Sequence, residues 1–276
     1  MTPRPSRLVL LGHPVRHSLS PVFQNAALQH AGIPARYEAL DVPLEALDGC
    51  VRALIAEGAA GNVTVPHKEA VAALCASRTP LAERAGAVNT FWVEAGALIG
   101  DNTDVAGFAS LARQLLGGDA PPRDLTIAVL GAGGAAAAVL TAIEQWPNCT
   151  TILYNRTPAR RDRLARRFAT VVRGTADDPV RAVAGCGLVV NATSVGLADD
   201  VHPVPVEAIP RTAAVLDLVY RPGETAGVRA ARARGLRAAD GAGMLVEQGA
   251  AAFERWFGVP APRDVMWNAL AERLAS

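Results

Sequence analysis

The chain has 276 residues, half of them apolar and 19% charged, with a formal net charge of +1. That length accommodates two domains of roughly 150 residues, and the composition is that of a folded globular protein with no global field to recruit nucleic acid or an anionic membrane. The four cysteines (Cys50, Cys75, Cys149 and Cys186) are widely spaced and form no Cys-x-x-Cys pair, which argues against zinc or a disulfide framework and for a reducing cytoplasm.

The start is basic, but the apolar run at 8–11 is too short for a signal peptide. No stretch approaches the roughly 18 apolar residues of a membrane span. The pattern predicts a strand at 7–11, a helix at 21–31 stopped by Gly32, a strand at 36–42, a helix at 44–57, a strand at 61–65 and a helix at 68–76. This β-α-β-α rhythm implies a mainly parallel sheet covered on both faces. Residues 88–94 and 98–99 flank Ala95-Gly96 and predict a hairpin. A helix at 104–116 then leads into a Gly/Pro-rich run at 117–123, the best linker candidate. Beyond it come strands at 126–130, 151–154, 188–191 and 214–218. Helices are predicted at 134–145 and 158–168, after 243, and at 263–274. The second Gly-rich element, at 240–243, marks a return of the chain to the first domain, which would then be discontinuous.

In Gly61-Asn-Val-Thr-Val-Pro-His-Lys68, Asn62 and Thr64 share a face if the segment is extended. Pro66 suits the first turn of a helix and would place Lys68 there too. A cation at a helix start opposes the dipole. Either Lys68 is solvated and incidental, or something negative or reactive faces it.

The strand at 126–130 is followed by Gly131-Ala132-Gly133-Gly134-Ala135-Ala136, a Gly-x-Gly-x-x-Gly/Ala pattern before an alanine-rich helix. Glycines let the backbone turn tightly and approach a pyrophosphate, which the helix N-terminus stabilises. The next strand ends in Asn155-Arg156-Thr157, where an NAD site usually carries Asp or Glu, and Arg160 follows one turn on. Two guanidinium groups suit a 2′-phosphate, so the pattern favours NADP. The arginines at 161, 163, 166 and 167 fit a solvated basic helix. A nucleic-acid surface is disfavoured, because the run lacks interleaved aromatics.

His17-Ser18-Leu19-Ser20-Pro21 combines two hydroxyls with a helix start. Ser20 reads as an N-cap, and the pair could also hold a carboxylate. Asn89 precedes the hairpin, and Asp104 enters the next helix as a capping acid or a partner for Lys68. A lysine beside an aspartate can exchange the hydroxyl proton of a carbinol while a nicotinamide takes the hydride. No Ser/His/Asp elbow, His-Glu-x-x-His motif, calcium loop or Walker A loop competes, and no metal is expected.

With these motifs the sequence resembles the shikimate dehydrogenase family almost end to end. The match runs through 17–21, 62–68, Gly-Ala-Val-Asn-Thr at 86–90, Asn-Thr-Asp at 102–104, 131–135, 155–157, Asn-Ala-Thr-Ser at 191–194, Asp-Leu-Val-Tyr at 217–220 and Asp-Gly-Ala-Gly-Met-Leu-Val-Glu-Gln at 240–248. The resemblance implies reversible NADPH-dependent reduction of 3-dehydroshikimate to shikimate on the route to chorismate, with hydride moving between shikimate C3 and nicotinamide C4. It makes Lys68 and Asp104 the catalytic pair. Ser18, Ser20 and Tyr220 would take the substrate carboxylate, and Thr64, Asn89 and Gln248 the ring hydroxyls. Gly131, Ala132, Gly133, Gly134, Ala135, Asn155, Arg156, Thr157, Arg160, Leu218 and Gly241 would hold NADP.

The fold it implies has two α/β domains with a deep cleft between them. A mainly parallel-sheet substrate domain covers 1–105 plus 240–276, and a Rossmann-like NADP domain covers 106–239. A cytoplasmic monomer or homodimer is expected. The family often has His-Asn where this chain has Gln24-Asn25, with little effect expected on the chemistry. Both serines together with Arg156 favour shikimate and NADP over quinate and NAD. The histidines at 13, 17 and 67 are expected to cap or face solvent.

Overall fold

The computed structural model describes residues 5–118 and 120–275. Met1–Arg4 of the basic start and Asp119 of the linker candidate lie outside the described residues. The chain divides into two compact units, Met1–Gly107 with Leu245–Ser276, and Phe108–Met244. Both divisions fall inside helices, a few residues later in the chain than the expected bounds at 105 and 240. The Gly/Pro-rich run at 117–123 therefore lies within the second unit and is not the linker. A helix that carries on across a boundary leaves no Gly/Pro signature.

The first unit opens with β1 (Leu8–Gly12), buried at every position, which requires cover on both faces of its sheet. There follow α1 (Ser20–His30), β2 (Tyr37–Asp41), α2 (Leu47–Glu57), β3 (Ala60–Val63), α3 (Lys68–Leu74), β4 (Ser77–Arg78) and α4 (Pro80–Ala85). The hairpin β5 (Thr90–Glu94) and β6 (Ala97–Asp101) then leads into α5 (Asp104–Leu116). The strand order is β2-β1-β3-β5-β6-β4. β1 pairs in parallel with β2 and β3, and β4 with β6, whereas β5 runs antiparallel to both neighbours. The core gathers Val9, Leu11, Leu47, Leu54, Val63, Phe91 and Leu98.

β3 stops at Val63, short of the predicted 65. Val65 and Pro66, joined by a cis peptide, occupy a turn closed by the His67 N–H on the Thr64 carbonyl at 3.0 Å. Pro66 is therefore outside the helix, and Lys68 is its first residue. The short β4 and α4 were not foreseen. β4 is two exposed residues, and α4 owes its start to Thr79, whose side chain accepts from the Ala82 N–H.

The second unit contains β7 (Thr126–Leu130), α6 (Gly134–Ile143), β8 (Thr150–Tyr154), α7 (Pro158–Arg167), β9 (Val172–Ala176) and α8 (Pro179–Val183). It continues with β10 (Leu188–Asn191), β11 (Ala214–Asp217), α9 (Ala226–Ala233) and β12 (Ala238–Ala239). Its sheet has the order β12-β11-β10-β7-β8-β9, with every pairing parallel. Strand order reverses between β7 and β10, the place where open α/β sheets take their ligands. β9 escapes sequence reading because Val-Arg-Gly-Thr-Ala is an edge strand with little apolar signal. α10 (Ala242–Phe257) and α11 (Arg263–Ala275) complete the chain.

Gly61 sits in mid-sheet between β1 and β5, where an added Cβ would overlap the Val9 carbonyl oxygen. Gly49, exposed on α2, has open space around it. Gly61→Ala should therefore lose about 2–3 kcal/mol. Gly49→Ala should gain about 0.5–1 kcal/mol. Denaturant midpoints of the two variants measured against the parent check both signs.

Candidate active site

Three chain segments converge at the end of β3. The turn after β3 delivers Lys68, the start of β5 delivers Asn89, and the exit of β6 delivers Thr103 and Asp104. The Lys68 ammonium pairs with Oδ2 of Asp104, from a residue 36 positions away. The Lys68 side chain is 19% exposed and that of Asp104 8%. A charge pair so far out of water is held because each partner is the other's counter-charge. Asp104 Oδ1 accepts from Asn89 Nδ2 at 2.8 Å, so the two carboxylate oxygens have different partners. Asn89 Nδ2 also donates to Gln248 Oε1 at 3.3 Å, and Gln248 Nε2 is fixed by the Leu245 carbonyl at 2.7 Å. Lys68, Asp104, Asn89 and Gln248 thus form one cluster within the first unit.

Ser18, Ser20 and Thr64 lie in the same unit. Ser20 is the first residue of α1 and not its N-cap. Leu19 takes that place with no side-chain bond, and Ser18 Oγ instead accepts from the Ser20 N–H at 3.3 Å. The reason is backbone shape, since Leu19 is helical, so the two serines do not share the face of an extended segment. The Ser20 and Thr64 hydroxyls have no hydrogen-bond partner among the described residues. Of the expected bystanders, His67 is fully buried, with Nε2 at 2.6 Å from the Val42 carbonyl, and is neither a side-chain cap nor solvent-facing. Gln24 is also buried and donates to the Gly249 carbonyl at 2.9 Å, tying α1 to the helix that carries Gln248.

In the second unit, Gly131, Ala132, Gly133, Gly134 and Ala135 form the turn from β7 into α6. Gly131 has φ +123, and a Cβ there would lie 2.7 Å from the Ala192 carbonyl oxygen across the β7/β10 switch. Only glycine fits. Gly133 has nothing within 4 Å of a Cβ, and α6 starts there with no side-chain cap. Free N–H groups at a helix start beside open space suit a pyrophosphate. Asn155 donates to the Thr157 carbonyl at 3.0 Å. Arg156 and Arg160 are exposed and hold no ion pair among the described residues. Arg161 is not part of a solvated face, because it is buried against Asp162, Asp177 and the Ala176 carbonyl, bracing α7 to the end of β9.

Buried Asp217, at the end of β11, takes Asn191 Nδ2 at 2.8 Å and Thr225 Oγ1 at 2.7 Å. It thereby fixes the strand end that carries Leu218 and half-buried Tyr220. Gly241 comes so close to the Leu218 carbonyl that a Cβ would overlap it. The donor set, the glycine turn and the two unpaired guanidinium groups fit a dinucleotide with a third phosphate. Among the described residues no group of three or more His, Cys, Asp or Glu could hold a metal ion. No helix among them is long and apolar enough to cross a membrane.

Sequence reasoning singled out Asn62 only as a partner of Thr64 on one face and overlooked the other polar residues behind the pair. Tyr37, Asn62, Thr90 and Thr103 are all buried, and their hydrogen bonds run unbroken into Asn89. The one available signal was the polar Asn62 between apolar strand neighbours.

Residues 10–91 match the shikimate dehydrogenase substrate binding domain, and residues 241–271 match the shikimate 5′-dehydrogenase C-terminal domain. A shikimate dehydrogenase (NADP(+)) of Methylobacterium radiotolerans is 45% identical, the alignment covering 93% of each chain. The crystal structure of shikimate 5-dehydrogenase from Thermus thermophilus in complex with NADP(H) and shikimate is similar with a TM-score of 0.87 at 40% identity, covering 96% of this chain and 98% of that one. A ligand-free 5-ketofructose reductase of Gluconobacter shares the fold with a TM-score of 0.84 at 28% identity, covering 97% and 99%.

Burial pushes the Tyr37 hydroxyl well above the usual tyrosine range, against a hydrogen bond to Asn62 that pulls the other way. Above the unfolded value of 10.0 the unfolded chain loses this proton while the native chain keeps it, so stability falls with rising pH. Tyr37→Phe should flatten the loss above pH 10 by up to about 1.4 kcal/mol per pH unit. Equilibrium unfolding of parent and variant across that range measures the difference.

Proposed function

Because the chain belongs to the shikimate dehydrogenase family, we propose that Lys68 and Asp104 are the catalytic pair of an NADP-dependent reduction of 3-dehydroshikimate to shikimate. The observation that carries this reading is the Lys68–Asp104 ion pair with Asn89 on its second oxygen. The reaction turns a ring ketone into an alcohol, and NADPH supplies the hydride when bound. Lys68 supplies the proton to the ketone oxygen as it becomes a hydroxyl, and takes it back in the reverse direction. Asp104 keeps the ammonium aimed and stabilises its charge, so the proton donor is held without reorganisation.

Ser18 and Ser20 sit at the start of α1, where the dipole and free N–H groups favour the substrate carboxylate. The unpaired hydroxyl of Thr64, four residues before Lys68, would take a ring hydroxyl. The first unit acts as the substrate domain and the second as the NADP domain. There the glycine turn would take the pyrophosphate, and Arg156 with Arg160 the 2′-phosphate. A reducing cytoplasm agrees with four free thiols, of which burial pushes Cys75 and Cys186 up to about 11.

Absorbance at the NADPH band tests the assignment with purified protein and shikimate or quinate, each with NADP or NAD. Turnover is expected with shikimate and NADP. Activity confined to quinate with NAD overturns the substrate and cofactor, and no turnover at all favours a binding module. Lys68→Ala should lower kcat by about 10²–10⁴ with a much smaller change in KM. A near-parental kcat in folded Lys68→Ala protein removes lysine from the mechanism. Arg156→Gln should raise the KM for NADP about tenfold and leave that for NAD unchanged.

A further inference from the structure

The polar chain behind Asp104 has one consistent direction, set by groups that can only donate or only accept. The Asn89 carbonyl can only accept, and Asn62 Nδ2 faces it at 3.1 Å. That fixes the Asn62 amide, leaving its Oδ1 for the Tyr37 hydroxyl at 2.8 Å. The same Nδ2 reaches Thr90 Oγ1 at 2.9 Å, so the Thr90 hydroxyl must accept there and donate onward. Its single proton is within reach of Asn89 Oδ1 at 3.1 Å, and Thr103 Oγ1, 2.9 Å away, can exchange a hydrogen bond with it in either direction. The Thr103 N–H can only donate, and it too points at Asn89 Oδ1, at 2.7 Å. With Oδ1 held by the Thr103 N–H and a threonine hydroxyl, Asn89 Nδ2 is turned toward Asp104, the orientation that leaves Oδ2 for Lys68.

The chain is built into the sheet. Asn62 and Thr90 are direct partners across β3 and β5, and Thr90 and Asp101 across β5 and β6. α10 covers it, with Trp256 donating to the Phe91 carbonyl at 3.1 Å and its ring 6.1 Å from that of Tyr37. Thr90 is fully buried, so no water can replace its hydroxyl without rearrangement.

We propose that Thr90 is a positioning residue for the reduction, its hydroxyl locking the Asn89 amide so that Asp104 presents one oxygen to Lys68, with Tyr37 and Asn62 holding Thr90 in turn. The proposal rests on Lys68 and Asp104 being the reacting pair. Thr90 touches neither, and it acts by keeping the carboxylate from rotating. Loss of the hydroxyl leaves the Thr103 N–H as the backbone donor on Oδ1, loosens the amide and blurs an alignment in which a displacement of about 1 Å can cost about a hundredfold.

The test is steady-state kinetics of shikimate oxidation by NADP for Thr90→Val, Thr90→Ser and Tyr37→Phe, with Lys68→Ala alongside and the folded fraction checked by circular dichroism. Thr90→Val should lower kcat by about 10–100-fold while KM stays within about threefold. Thr90→Ser, which keeps the hydroxyl, should recover most of the rate. Tyr37→Phe, two links further away, should show a smaller loss confined to kcat. A kcat for Thr90→Val within twofold of the parent overturns the proposal, as do equal losses in the valine and serine variants, which would mean packing alone. If Thr90→Val does not fold, Tyr37→Phe decides, and an unchanged kcat there overturns the proposal. A near-parental rate in Lys68→Ala refutes the catalytic pair itself and is read separately.

Discussion

The ion pair between Lys68 and Asp104 is the constraint around which the polar residues of the first unit are arranged. Two opposite charges removed from water stabilise a fold little, because desolvation offsets most of their attraction. Well-packed apolar side chains would serve stability as well. The pair is present nonetheless, and a second polar group, Asn89, holds one carboxylate oxygen. Such an arrangement makes sense where a proton must be delivered from a fixed point. The surrounding residues keep the pair directional, since each oxygen of Asp104 has one partner and each amide in the chain behind it has one orientation.

The sheet explains how distant segments reach that point. In a purely parallel sheet the start of a strand lies at the opposite edge from its neighbours' ends. Here β5 runs antiparallel between β3 and β6, so the start of β5 lies beside the ends of its neighbours. Asn89, Thr103 and Asp104 meet the turn that carries Lys68 for this reason. α10 then supplies Gln248, and Arg255 of the same helix pairs with buried Asp101 at 2.8 Å, tying the helix to the exit of β6. The second unit solves a different problem with an all-parallel sheet. At its switch between β7 and β10, Gly131 against the Ala192 carbonyl marks where a side chain is forbidden.

Much of this was legible in the sequence. The alternation of apolar runs located the main strands, the glycine pattern located the switch, and the motifs around Lys68 and Asp104 located the pair. Other features left no local trace. The unit boundaries lie inside α5 and α10, which read as ordinary helices. Ser20 has the composition of an N-cap, but helical Leu19 displaced it. His67 lies next to Lys68 and Glu69 and is nonetheless fully buried, with Nε2 against the Val42 carbonyl just past β2. The chain from Tyr37 through Asn62 and Thr90 joins residues from three strands, a pairing that only sheet register defines. Arg161 is the mirror case: its basic run suggested solvent, and β9, the strand least visible in the sequence, buries it.

The most direct test of the central claim is a double-mutant cycle on kcat for shikimate oxidation by NADP, using Lys68→Met, Asp104→Asn and the double variant. If the two residues act as one proton-transferring unit, the double variant should be within about threefold of Lys68→Met, because Asp104 has nothing left to position. Losses that multiply independently in the double variant would contradict the account.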